Sequence, residues 1–235
     1  MIGRALRIDI ERYISKPEAN SLFATTKDGR LTPEMMARYL ASLHFMICLT
    51  PVHLVRARDA ARARGLDELA DHFDKKVGEE VGHEAWSESD LRTLRAKRAG
   101  ASGDVAPGAR ELAAYIESAI DDHPAYYLAY AAFAEFITVM VGPTWVEMLV
   151  QRCGIPLEAL TVITNHIELD GAHAEEGFEL MDDLITDPAM LPAMRKILAE
   201  CMARYDNYCA ECTAVVPAAE SGTTLVVEAP SVSAA

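Results

Sequence analysis

Along most of this chain, apolar residues return every three or four positions, the spacing that lines one face of an α-helix. Residues 5–16 form one amphipathic stretch. In "LTPEMM", Thr32 is placed to cap a helix, and Pro33 suits a first turn that needs no backbone donor. That helix is expected to run to about Arg64 and stop at Gly65. The next begins near Leu66 and carries "DHFDKKVGEEVGHEAW", with a break expected at 87–90 before "LRTLRAKR". Residues 99–109 read as a loop, and a helix returns over 110–121. After His123-Pro124 comes an oily helix over about 125–141, which Gly142-Pro143 kinks or ends, with a further piece to Cys153. "GIP" at 154–156 is a turn; a long helix follows from about Leu157 to Ile185. Asp187-Pro188 opens the last one, which reaches about Val215.

Runs of β-branched residues bounded by turn signals are scarce. The pattern therefore predicts one all-α domain over residues 1–215, built from about seven helices. Residues 216–235 offer no core of their own and read as a disordered tail, in which "TTLVVE" is the sole strand-like run.

Composition narrows the function. A chain of 235 residues with 51% hydrophobic content can bury a full core. A net charge of −14 argues against nucleic acid or an anionic membrane as a partner. The N-terminus has no apolar signal-peptide core, and the five cysteines are an odd number, so reduced thiols and a cytoplasmic location are expected. Cys209 and Cys212 make a lone CxxC, a weak redox or metal signal.

The oily helix carries one acid, Glu135, with apolar, aromatic or small residues for seven positions on either side. The acid and the Gly-Pro pair argue for a core helix over a membrane span. A buried ionised carboxylate must be protonated, paired with a cation or bound to a metal. A second signal is "NHIELDGAH". His166, Asp170 and His173 are offset by four and seven residues, within roughly 60° of one another on a helix. A third is "GEEVGHEAW", where Glu80 and His83 have the Glu-x-x-His spacing with which helical bundles hold iron or manganese. Glu79, four residues before His83, competes with Glu80 for that role. Three carboxylates and three imidazoles, with no thiolate, suit two divalent first-row metals: iron, or alternatively manganese.

These stretches, "EEVGHEAW", the central "AEF" and "HIELDGAH", resemble the heme-oxygenase-like diiron oxidases and oxygenases, relatives of the TenA thiaminases and the pyrroloquinoline-quinone synthase. The resemblance spans about residues 15–215. It implies a heme-oxygenase-like (TenA-like) bundle that forms a homodimer. It also implies two Fe(II) ions held by Glu80, His83, Glu135, His166, Asp170 and His173, with O2 as co-substrate. The family's substrates are amino acids, derived amines or fatty acids; its outcomes are N-oxygenation, desaturation or oxidative C–C cleavage. Phe45, His53, Tyr127 and Phe133 are expected to face the substrate, and Arg56 or Arg58 is a weaker choice as a carboxylate anchor. Two alternatives stay open. One is a metal-free member of the same fold, a cofactorless oxidase or a TenA-like hydrolase with Cys48 or Cys153 as nucleophile. The other is a non-catalytic iron-binding module.

Overall fold

The computed structural model describes residues 1–97 and 104–214, with the backbone alone at 97 and 172–175. The tail expected over 216–235, with its strand-like run, lies outside the described residues. Within them are nine α-helices and no strand: α1 (Ile2–Ile14), α2 (Ser21–Lys27), α3 (Pro33–Ala63), α4 (Asp67–Glu80), α5 (Glu84–Lys97), α6 (Pro107–Asp122), α7 (Tyr126–Cys153), α8 (Thr161–Leu184) and α9 (Leu191–Thr213).

The starts of α3 and α9 follow local chemistry. Thr32 accepts a hydrogen bond from Met35 N at 3.3 Å and Pro33 opens α3. Asp187 caps the short turn that leads into α9, accepting from Ala189 N at 2.9 Å. Seven-residue α2, which the pattern did not predict, is too short to show a period; it exists because the Asn20 side chain caps it.

Two expected breaks are placed differently. The chain leaves its helix at Val81–His83, not at 87–90. Gly82, at φ +103°, takes a backbone conformation that suits glycine. Ser87 and Asp90 stay helical because their side chains have partners: Ser87 Oγ donates to Glu84 O at 2.9 Å, and Asp90 bonds to another helix. The second difference is that α7 continues through Gly142-Pro143. Proline forfeits one backbone hydrogen bond, but tertiary contact holds the helix together. A Cβ at Gly142 would sit 2.9 Å from Ile167, so this glycine lets α7 and α8 approach closely.

Both α3 and α7 are long and apolar enough to cross a membrane by length and composition. Here they are the centre of the bundle. α7 packs against α1, α2, α6, α8 and α9, while α3 packs against α4, α5, α6 and α9. Phe73, Tyr127, Phe133 and Phe136 anchor one apolar cluster; Leu40, Leu94, Trp145 and Leu149 anchor the other.

Asp90 ties α5 to the start of α8, fully buried. Its Oδ1 accepts from Thr161 N at 3.0 Å and Thr161 Oγ1 at 2.5 Å, and its Oδ2 accepts from Val162 N at 2.8 Å. Burial raises its pKa against these bonds. A carboxylate here satisfies orphan donors and favours the positive end of the α8 dipole. Asp90→Ala is expected to destabilise the protein by about 2 kcal/mol in urea unfolding, with Asp90→Asn costing less. An unchanged midpoint in Asp90→Ala would show that the cap is dispensable.

Candidate metal centre

The α4–α5 turn, α7 and α8 converge on one acidic cluster. Glu80 ends α4 and His83 lies in the turn after it, so the Glu-x-x-His pair does not occupy one continuous helix face. The turn nevertheless brings them together, with His83 Nδ1 3.2 Å from Glu80 Oε2. Across from them, α8 supplies His166. One ligand atom from each of Glu80, His83 and His166 lies within 4.8 Å of the others. The side chain of Glu84 turns back to accept from Gly82 N at 3.0 Å.

Both imidazoles are held in place. His166 Nδ1 lies 2.6 Å from Val162 O, and only a protonated Nδ1 can donate to that carbonyl, which leaves Nε2 with a free lone pair. His83 stacks on Trp86, with centroids 4.3 Å apart, and the Trp86 ring meets His166 edge-on at 5.6 Å. Burial lowers the pKa of His166, favouring the neutral ring a metal requires.

Glu135 and Asp170 line the same cavity as Glu80 and His166. Burial, then the charges of Glu135 and Glu80, push the Asp170 carboxyl up to about 7. Glu135, expected to be buried, is half-buried and has a cation: Lys76 Nζ lies 3.3 Å from Glu135 Oε1 and 3.3 Å from Glu79 Oε2. Burial works against the Lys76 charge, yet Glu135 and Glu79 outweigh it and raise its pKa. Lys76 sits four residues before Glu80, on the same side of α4, and sequence reasoning passed over it. The search for a cation to match Glu135 could have found it at that spacing. Glu79 pairs with Lys75 and Lys76 and is not part of the Glu80–His83–His166 group, so geometry favours Glu80 of the two adjacent acids. The His173 side chain lies outside the described residues.

The cavity beside the cluster has a volume of about 340 Å³, and a second of about 290 Å³ lies against it. Glu80, Glu135 and Tyr127 line both. The other three residues expected at the substrate line neither. Phe45 is half-buried under the Arg110 guanidinium, 5.1 Å from the ring centre. Phe133 is buried between Tyr13 and Tyr205. His53 is buried against Tyr127, its pKa lowered by burial despite Glu117 nearby. All three sit on apolar helix faces, and periodicity cannot separate a cavity wall from a filled core. Arg56 pairs with Glu117 and Asp121, and Arg58 with Asp59 and Asp74. His44 bonds Ser87 at 2.8 Å, and His72 lines the second cavity with its pKa lowered to about 4 by burial and Lys76. Cys209 and Cys212 are fully buried and burial raises both thiols, Cys212 to about 12, so the CxxC is core packing.

No protein-family model matches the chain, and no curated protein matches it. Solved structures do. A domain of unknown function with a heme oxygenase-like fold from Shewanella denitrificans superposes with a TM-score of 0.77 at 16% identity, covering 89% of this chain and 90% of that one. A TenA homolog from Pseudomonas syringae superposes with a TM-score of 0.65, also at 16% identity, over 89% and 91% of the two chains. The fold is therefore heme oxygenase-like and TenA-like, all-α, with nine helices among the described residues where about seven were expected.

The Asp170 shift carries a pH dependence for the metal-free protein. An unfolded Asp loses its proton near 3.8, whereas the folded one keeps it to about 7, so the native state binds more protons between those values. Stability from this group is full below about pH 4 and is lost as pH rises through 7. The urea midpoint of metal-free wild type is expected to fall across that window more steeply than that of Asp170→Asn. Equal slopes would show that Asp170 does not titrate there.

Proposed function

We propose that this protein is a nonheme diiron oxidase or oxygenase that uses O2 to oxidise a small amino-acid-like or fatty-acid-like substrate. The observation that carries this reading is the convergence of Glu80, His83 and His166, two of which, Glu80 and His166, line a mostly apolar cavity, with His166 Nδ1 committed to the Val162 carbonyl. An oxygen-and-nitrogen donor set without thiolate fits Fe(II), and equally Mn(II).

Glu80, His83 and His166 would hold one ion. Glu135 and Asp170, with His173 from the resemblance, would complete a second position. Two Fe(II) ions bound there would supply a pair of electrons for reducing O2, and O2 would supply the oxidising equivalents for attack on a substrate bond. The chain's own residues prepare the site. The Val162 carbonyl keeps His166 in one tautomer, and Trp86 holds His83 against Glu80. Lys76 neutralises Glu135 until a stronger cation arrives. The apolar wall, including Met46, Ile137 and Ile163, excludes water and limits side reactions.

The TenA-like hydrolase reading needs a thiol in the pocket. Cys48 is exposed, Cys153 lies against Thr26 O, and neither lines either cavity. The iron reading is therefore preferred.

Anaerobic titration of apo-protein with Fe(II), followed by O2, tests it. About two irons per chain are expected, as the donor set provides, with O2-dependent absorbance changes. His166→Ala is expected to lose both the first iron and the absorbance change while keeping its helical circular dichroism. Iron binding at background level in folded wild type would refute the proposal. Iron bound with no O2-dependent change, even with amino acids, amines and fatty acids supplied, would favour the non-catalytic module.

A further inference from the structure

The 340 Å³ cavity presents a second polar group, built by a different set of helices. Asp206 on α9 faces it together with Tyr13 of α1 and Asn20, the cap of α2. Asp206 Oδ1 accepts two hydrogen bonds, from the Tyr13 hydroxyl at 2.6 Å and from Asn20 Nδ2 at 2.8 Å. The orientation of Asn20 is set by the backbone. Its Oδ1 accepts from Leu22 N at 3.0 Å and Phe23 N at 3.4 Å, so its amide nitrogen must point at Asp206. Both donors thus converge on one carboxylate oxygen. Among the described residues, Oδ2 has no hydrogen-bond donor, and no lysine or arginine forms an ion pair with Asp206. Lys16, exposed where it lines the cavity, does not reach it.

A carboxylate at a cavity wall, with two neutral donors on one oxygen and no donor on the other among the described residues, is suited to receive a cation. The rest of the cavity agrees. Glu80, Glu135 and Asp170 line it too, so that even with Lys76 against Glu135 the acids of the lining outnumber its one lysine, Lys16, which disfavours an anionic head group. Phe23, Leu43, Ile47 and Trp145 offer an apolar surface for the remainder of a ligand.

We propose that Asp206, oriented by Tyr13 and Asn20, is an ammonium anchor, and that the ligand of this cavity is a primary amine with an apolar body, not a fatty acid. Identifying that amine as the substrate rests on the oxygen-activating reading of the metal cluster; its binding does not.

The test uses full-length, metal-free protein titrated calorimetrically at pH 7.5 with n-hexylamine, n-hexanol and sodium hexanoate. Hexylamine is expected to bind about tenfold or more tighter than hexanoate or hexanol, the usual worth of a charge-assisted hydrogen bond. In Asp206→Asn, checked for intact helical circular dichroism, hexylamine is expected to weaken about tenfold while hexanol is unchanged. Hexanoate binding as tightly as hexylamine, no binding of hexylamine, or hexylamine held equally by Asp206→Asn would each overturn the anchor. The wild-type comparison decides whether the cavity selects an amine, and Asp206→Ala serves as the second variant for the anchor should Asp206→Asn not fold. The two proposals fail separately. Amine binding without iron binding would leave the anchor and remove the oxygen chemistry, and iron binding without amine binding would do the reverse.

Discussion

The constraint that organises this bundle is the cost of placing carboxylates inside an apolar helical core. Glu80, Glu135 and Asp170 all border one cavity, and Asp170 is buried. Charges of one sign in such a setting raise one another's energy and that of the fold. The structure meets the cost in two ways: burial and the neighbouring acids push the Asp170 carboxyl up to about 7, and Lys76 lies against Glu135. A folded domain gains nothing in stability from this arrangement that a few leucines would not supply better. The arrangement is understandable if a cation of higher charge uses the same oxygens, as the proposed iron would.

The surrounding elements make sense in that light. α8 must present His166 at a defined position, and the buried Asp90 cap fixes where α8 begins. α7 must bring Glu135 close to α8, and Gly142 permits the approach. His83 must leave the α4 helix to meet Glu80 and His166 at once, and Gly82 provides the turn. None of these supporting residues needs to touch a ligand; each determines where one that does will sit.

The cavity brings together two kinds of carboxylate that differ in preparation. The α4, α7 and α8 acids crowd one another, and one of them, Glu135, pairs with Lys76. Asp206 has its own pair of neutral donors, both on one oxygen. Crowded acids suit a metal, which accepts several oxygens at once, whereas a single oriented carboxylate suits one ammonium. The electrostatic character of the pocket thus favours cations throughout, which sets it apart from a site made for a fatty-acid head group.

Much of this was legible in the chain alone. Helical period, the Thr32-Pro33 start and the Asp187 stop are local properties, encoded in neighbouring residues. So is the anomaly of Glu135, because a lone acid in an apolar helix signals a buried charge without reference to its partner. The cluster residues Glu80, His83 and His166 could be nominated because few residue types bind metals and their spacings are short. Other features depended on residues far apart in sequence. The identity of the cation beside Glu135, the turn at Gly82, the continuity of α7 through Pro143 and the cap that Asp90 gives α8 are decided by tertiary contact. The same holds for the cavity wall: Phe45, His53 and Phe133 share the apolar period of Tyr127, yet of the four it is Tyr127 that lines the two cavities. Periodicity reports that a side chain faces inward; whether it meets another side chain or a cavity depends on how the helices pack, and Asp206, Tyr13 and Asn20 become one group only because α9, α1 and α2 meet there.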